Sequence, residues 1–381
     1  MKKIGDEVVV YVGLSGGTQQ MNSALMMVGA DVLRQEFNVK ALYVPKGASA
    51  HPVSSIEDYR RRKEAVALRA LVRKYQYHTV AEHLESNFSP DNLRTKALIE
   101  LARYGSARLH SDWDDAQRRL ITIRHLFNQL DVPAPIRSRV TMWDREILHL
   151  KDDPTRGLAW LQELAWHARV TLKQEVWWAF LVRITTFREL ALRVLAARLG
   201  VPFGHPLRDR CLPANYVTNE LRQFARTFAQ QRDIKVNGLH DVILDGEINH
   251  IVLECVCEFG LQAAPDSALQ QAYHVLQGLR PLVSLRNRVV HEGVAVKAEQ
   301  IWAAVKDGRD ATPSAGAAET AAAREPAVPE PAPLDGLWDL LAELVKVTIL
   351  LGGTEPQHPN GPYADLNEVL EHMIEAWSRR G

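Results

Sequence analysis

The sequence predicts an α+β chain that is mostly α, with a β-α-β unit at the N-terminus, a helical middle region and an all-α C-terminal domain. A dense β-branched run at residues 7–14 passes through Ser15-Gly16-Gly17-Thr18 into residues spaced for a helix. From Ile56 onward, apolar residues recur at helical spacing with polar residues between them. The chain has 381 residues, 46% apolar and 24% charged, which suits two or three folding units with sizeable cores and excludes wholesale disorder.

Residues 7–14 (EVVVYVGL) read as a strand. Met21, Leu25, Val28, Val32 and Phe37 outline the buried stripe of the helix that follows, and residues 39–44 (VKALYV) read as a second strand. Parallel strands joined by such a crossover belong to larger sheets, and two strands are too few to stand alone. Helices follow at 59–77, 91–109 and 116–130, read as hairpins that pack on one another. The run Arg60-Arg61-Arg62-Lys63 is either a solvated helix face or a phosphate contact. Residues 155–200 form a long helical stretch of two helices, with Trp160, Leu164, Phe180, Ile184, Phe187, Ala191 and Val194 in register and Gly200-Val201-Pro202 as its stop. More helices are expected at 218–232, 239–259 and 267–306. Residues 311–333, rich in Ala, Pro, Glu, Ser and Thr, predict a disordered insertion, after which helices resume at 334–351 and 364–378.

Charge and cysteine content narrow the function. Lys+Arg and Asp+Glu both total 46, so no global positive field draws in nucleic acid, and any RNA contact must be local. The cations are mostly arginine, 33 against 13 lysines, a side chain that forks onto phosphate or carboxylate. Cys211, Cys255 and Cys257 are too few for a disulfide framework, and Cys255-Val-Cys257 lacks the second ligand pair of a zinc site, so no metal is expected. The N-terminus does not read as a signal peptide, and no apolar run approaches the roughly 18 residues of a membrane span. The expectation is a soluble cytoplasmic protein with no membrane partner.

Two motifs carry chemistry. Ser15, Gly16, Gly17, Thr18 and Gln19 sit where a strand enters a helix; two glycines let backbone approach a ligand closely, and N–H groups at a helix start suit a phosphate or nucleotide. A structural turn with Thr18 as helix cap is the other reading. Gly-Gly-Thr recurs at 352–354, where it follows a helix and reads as a C-terminal stop.

The second motif is Leu285-Arg286-Asn287-Arg288-Val289-Val290-His291-Glu292-Gly293. On a helix, Asn287 and His291 face the same side and Arg286 reaches round from an adjacent face. A metal-free ribonuclease needs these groups: Arg holds the scissile phosphate, Asn orients a partner, and His transfers a proton near neutral pH. The spacing alone is weak, since 33 Arg and 14 His in 381 residues supply about one such pair by chance, and Arg73 and His78 form another. Its context is more specific: an Arg-Asn dipeptide, Pro281 upstream, apolar Val289-Val290 and a glycine two residues past the histidine. A capped helix whose His291 is merely a satisfied polar residue remains the alternative.

The strand, the Gly-Gly-Thr loop, the helices and the Arg-Asn-x-x-x-His segment together resemble the CRISPR-associated CARF and HEPN ribonucleases of type III systems. Residues 75–84 and 181–199 resemble the helices that follow the sensor and open the HEPN region, and 361–367 resembles that group's ending. The resemblance implies a partial Rossmann-like CARF sensor at 1–50, a helical connecting domain at 51–150 and a HEPN ribonuclease domain at 151–381 interrupted at 311–333. It implies a homodimer whose composite site uses Arg286, Asn287 and His291 from two facing subunits. That site cuts single-stranded RNA by attack of the 2'-hydroxyl on the adjacent phosphate, without a metal or other cofactor. A cyclic oligoadenylate bound at Ser15–Gln19 acts as activator. Two departures stand out: Gln19 replaces the usual lysine after the threonine, and only about a dozen residues precede a loop that several strands normally precede, which implies an N-terminally truncated CARF domain. A non-catalytic cyclic-nucleotide sensor or dimerisation protein, a stand-alone HEPN toxin, and a ring nuclease that degrades the activator are the competing readings.

Overall fold

The computed structural model describes residues 9–13, 21–22, 24–25, 28, 38–43, 51–53, 55–88, 91–152, 157–205, 209–236, 239–310, 332–355 and 360–379. The loop at 15–19 and the Ala/Pro-rich stretch at 311–331 lie outside these residues. The chain is mostly helical with few strands, the α+β class expected, and its contacts divide it into two compact units, residues 1–144 with 362–381, and residues 145–361.

In the first unit, strands β1 (Val9–Gly13) and β2 (Asn38–Tyr43) run parallel with Val10 opposite Val39 and Val12 opposite Ala41, and the described residues between 21 and 28 are helical. This is the β-α-β order the sequence predicts. An unforeseen short strand, β3 (His51–Val53), pairs antiparallel with β2. The predicted buried stripe is corrected: Met21, Leu25 and Val28 are exposed. A sheet of three described strands is too narrow to cover that helix face.

Five helices follow: α1 (Ser55–Arg73), α2 (Tyr77–Asn87), α3 (Leu93–Leu109), α4 (Trp113–Gln129) and α5 (Ala134–Asp152), the division between units falling inside α5. The helix read at 59–77 ends at Arg73, because Tyr75 turns the chain with φ 56°. Asn92 caps α3 by accepting from the Arg94 and Thr95 N–H groups at 2.9 and 3.3 Å, and Asp112 caps α4. Of the basic run, Arg62 and Lys63 are exposed, as the solvated-face reading expects, whereas Arg61 is half-buried with its guanidinium over the Trp377 ring at 6.0 Å.

The last helix, α14 (Pro362–Arg379), packs against α1 and α3, although the sequence division assigns residues 362–381 to the C-terminal domain. Buried side-chain pairs hold it. Tyr77 Oη donates to Asn367 Oδ1 at 2.8 Å, Trp143 Nε1 to Asp365 Oδ2 at 2.8 Å, and Trp377 Nε1 to Thr95 Oγ1 at 3.1 Å. Burying aromatic groups here satisfies their polar ends while the rings fill the core; Tyr104 stacks on Trp143 at 5.4 Å, and Phe88 meets Trp377 edge-on at 4.8 Å.

The second unit is built from α6 (Leu158–Lys173), α7 (Trp177–Arg198), α8 (Asn219–Gln231), a two-residue hairpin β4 (Lys235–Val236) and β5 (Leu239–His240), α9 (His250–Ala263), α10 (Ser267–Gly278), α11 (Arg280–Glu292), α12 (Ala298–Asp310) and α13 (Pro333–Leu350). The two-helix reading of 155–200 is matched, with Phe180, Ile184, Phe187, Ala191 and Val194 all buried. The helix expected at 239–259 begins only at His250: Leu239 and His240 pair with β4, and Asn249 caps α9 through the Ile251 and Val252 N–H groups at 2.9 and 3.0 Å. The stretch 267–306 is divided among three helices, the second starting at Pro281's turn as the proline signals.

One contiguous core joins Leu161, Phe180, Phe187, Leu253, Leu276, Leu282, Trp302 and Leu337. The second Gly-Gly-Thr is the helix stop the sequence predicts. Gly352 takes φ 95° just past α13, and its N–H donates to Ile349 O at 2.9 Å.

Candidate functional site

Helix α11 carries Arg286, Asn287 and His291. It begins one residue after α10, with Pro281 in its first turn, where a missing N–H costs nothing. It ends at Gly293, whose φ of 67° is a left-handed conformation that glycine adopts without strain. Leu282 and Leu285 are buried, Val289 packs partly against the core, and the helix lies against α7 and α12. With that stripe turned inward, Asn287, Arg288, Val290 and His291 are exposed and Arg286 is half-buried at the border.

The structure therefore brings the three residues onto one accessible face. Arg286 Nη1 donates to Asn287 Oδ1 at 3.1 Å, which holds the guanidinium beside the amide. His291 stands one helical turn, about 6 Å, further along the same side as Asn287. A guanidinium, a group able to hold a phosphate, and an imidazole, a group able to transfer a proton, thus share an open surface. Val290, 56% exposed within this face, is an apolar group presented to solvent.

The competing Arg–His pair is accounted for structurally. Arg73 ends α1 and forks onto Glu371 with contacts of 2.9 and 3.0 Å, and His78 pairs with Glu82 at 3.2 Å one turn along α2. The two residues lie on different helices, on either side of the Tyr75 turn. Ser15, Gly16, Gly17, Thr18 and Gln19 lie outside the described residues; β1 ends at Gly13, just before them. Among the described residues, no group of three or more His, Cys, Asp or Glu side chains is arranged to hold a metal. No described helix is long and apolar enough to cross a membrane. The three thiols are unpaired; Cys211 is exposed, and burial pushes Cys255 up to about 12 and Cys257 well above the ordinary thiol value.

Behind α11 lies a charge cluster that the sequence reading does not identify. Arg188 of α7 and Glu254 of α9, 1% and 0% exposed, form an ion pair. Arg232 donates to the other Glu254 oxygen at 2.8 Å and also pairs with Glu258, and Tyr273 Oη donates to Glu258 Oε1 at 2.7 Å. A partial signal is present in Glu254, a charge within the apolar run 251–257, whereas Arg188 is one of several charged residues of its helix and nothing in the sequence pairs the two.

The second unit also holds a groove of about 520 Å³, where the Arg169 guanidinium stands 5.6 Å from both the Trp166 and Trp338 rings. The first unit has a cleft of about 380 Å³ lined by Arg69, Arg139, Glu368, Glu371 and His372. None of the residues singled out in the sequence lines either.

No family model matches the chain, and no curated protein matches it in sequence. Its fold matches a solved structure, Enterococcus italicus Csm6 bound to cyclic hexa-2'-fluoro-hexa-dAMP, with a TM-score of 0.57 over 95% of this chain and 74% of the Csm6 chain, at 9% sequence identity. The β-α-β start, the helical middle and the second unit bearing α11, helical except for the short β4–β5 pair that the all-α expectation did not include, are thus the parts of a Csm6-like fold.

Proposed function

We propose that the protein is a CRISPR-associated endoribonuclease of the CARF and HEPN kind, cutting single-stranded RNA at a site built on α11 and regulated by a cyclic oligoadenylate at the loop 15–19. The observation that carries this reading is the placement of half-buried Arg286 beside exposed Asn287 and His291 on one accessible helix face, in a chain with a Csm6-like fold. The Csm6 structure holds a cyclic hexanucleotide analogue, which supports a cyclic oligoadenylate as the ligand class here.

In this reading the RNA 2'-hydroxyl attacks the adjacent phosphorus. Arg286 holds the phosphate oxygens and stabilises the charge that builds on them, and His291 transfers the proton between the hydroxyl oxygens. The bond to the 5'-oxygen breaks, leaving a cyclic phosphate and a free 5'-hydroxyl. Asn287 accepts from Arg286 and keeps the guanidinium in place. The face is open to solvent, so a second copy whose α11 lies opposite would shield the phosphate and complete the site; the protein acts as a homodimer in the cytoplasm. In this reading the sensor lies at 1–50, the connecting region at 51–150 and the ribonuclease region at 151–361, with α14 belonging to the first unit instead.

The test is cleavage of a fluorogenic RNA with and without cyclic oligoadenylates of different ring size, with analysis of the product ends. Cutting that rises with one ring size and leaves cyclic phosphate ends supports the proposal. Ligand binding with no RNA turnover would instead favour a non-catalytic sensor.

A further inference from the structure

The charge cluster behind α11 surrounds the joint that sets this helix's direction. Helix α10 ends at Gly278 and α11 begins at Arg280, so Leu279 alone separates them. Arg188 Nε donates at 2.8 Å to the carbonyl of Leu276 in the last turn of α10, which also accepts a long 3.3 Å bond from the Leu279 N–H. The same guanidinium is ion-paired with Glu254, whose second oxygen accepts from Arg232 and lies 3.9 Å from Nε of Arg280, the first residue of α11. Tyr273 of α10 donates to Glu258, and Gln277 donates to Tyr273. On the other side, Gly308 of α12 approaches so closely that a Cβ there would stand 2.0 Å from the Gly278 carbonyl oxygen. The joint is thus clamped between a buried ionic cluster and a backbone contact.

We infer that Arg188 and Glu254 are positioning residues for the Arg286, Asn287 and His291 face, a role that rests on the ribonuclease reading above. Buried ion pairs are a poor source of stability, since apolar residues of similar volume often do as well or better. What this pair adds is direction. It ties α7 and α9 to a backbone atom at the joint, where apolar packing alone would permit small tilts. His291 lies eleven residues past Arg280, about 17 Å along the axis, so a tilt of about 10° at the joint displaces its ring by about 3 Å. A misplacement of about 1 Å can cost on the order of 100-fold in rate.

The experiment compares the full-length parent with Glu254→Gln, the double variant Arg188→Met/Glu254→Leu and Arg280→Gln. Each is followed by thermal midpoint, kcat and KM on RNA, and amide hydrogen exchange along α11. The double variant is expected to recover the midpoint lost by Glu254→Gln, yet keep kcat about 100-fold down with KM within about three-fold of the parent, and to exchange faster along α11. Recovery of midpoint and kcat together would reduce the cluster to a structural role and overturn the inference. Should neither buried variant fold, Arg280→Gln decides on a partly exposed side chain: about a 10-fold loss in kcat at an unchanged midpoint supports the inference, and parent-like kcat overturns it. If the parent shows no cutting that depends on His291, the ribonuclease reading fails by itself. The exchange rates along α11 then still decide whether the cluster holds the helix.

Discussion

His250, the first residue of α9, is half-buried. Burial holds its pKa below the ordinary histidine value of 6.5; Glu254 and Glu189 oppose the shift, while Arg188 and Arg280 add to it. The unfolded chain therefore takes up a proton at this site before the folded chain does. Its contribution to stability is intact above pH 6.5 and is lost as pH falls through 6.5 toward the lower folded value. Urea unfolding midpoints at pH 7.5 and 5.5 are expected to fall more for the parent than for His250→Gln, and equal falls would contradict this account. At this scale the sequence revealed part of the site. Spacing alone put Asn287 and His291 on one face, because 3.6 residues per turn is a local rule. The Arg188–Glu254 pair spans 66 positions, and no local rule pairs them.

Three of the helical hairpins turn through a single non-glycine residue in the left-handed region: Tyr75, Ser111 and Glu175, with φ of 56, 60 and 58°. Glycine and proline are the usual signs of a helix end, so the α1–α2 boundary was hidden in sequence while the stop at Gly200 was plain. Boundaries at Asn249 and Asp266 are carried by side-chain caps, which are legible only once the preceding hairpin is recognised. The contact between α10 and α12 is the tightest constraint on the motif helix. Gly308→Ala would press a methyl group against Gly278 O and, at 2.9 Å, Pro281 Cδ. It should lower unfolding free energy by about 1–3 kcal/mol in urea titrations. A parent-like midpoint would mean that the two backbones do not approach this closely.

The first unit is closed by its most distant segment. Helix α14 supplies Asn367, Asp365 and Trp377 as partners for Tyr77, Trp143 and Thr95. Ending the chain at Gly361 leaves those three polar groups unpaired and uncovers apolar core, so amides of α1 and α3 should exchange markedly faster while those of α7 and α9 keep their protection. Full protection of α1 and α3 in the shortened chain would contradict the packing. Sequence periodicity found α14 as a helix but not its place, since an amphipathic stripe specifies that a face is buried and not against what. The same limit applied to Met21, Leu25 and Val28, where an apolar stripe turned out to be exposed. The central claim for the molecule is that its chemistry resides on α11. It is tested most directly by the rate of RNA cleavage in EDTA for the parent and for His291→Ala. The account predicts cutting by the parent and a loss of at least about 100-fold in the variant; cleavage by His291→Ala as fast as by the parent would contradict it.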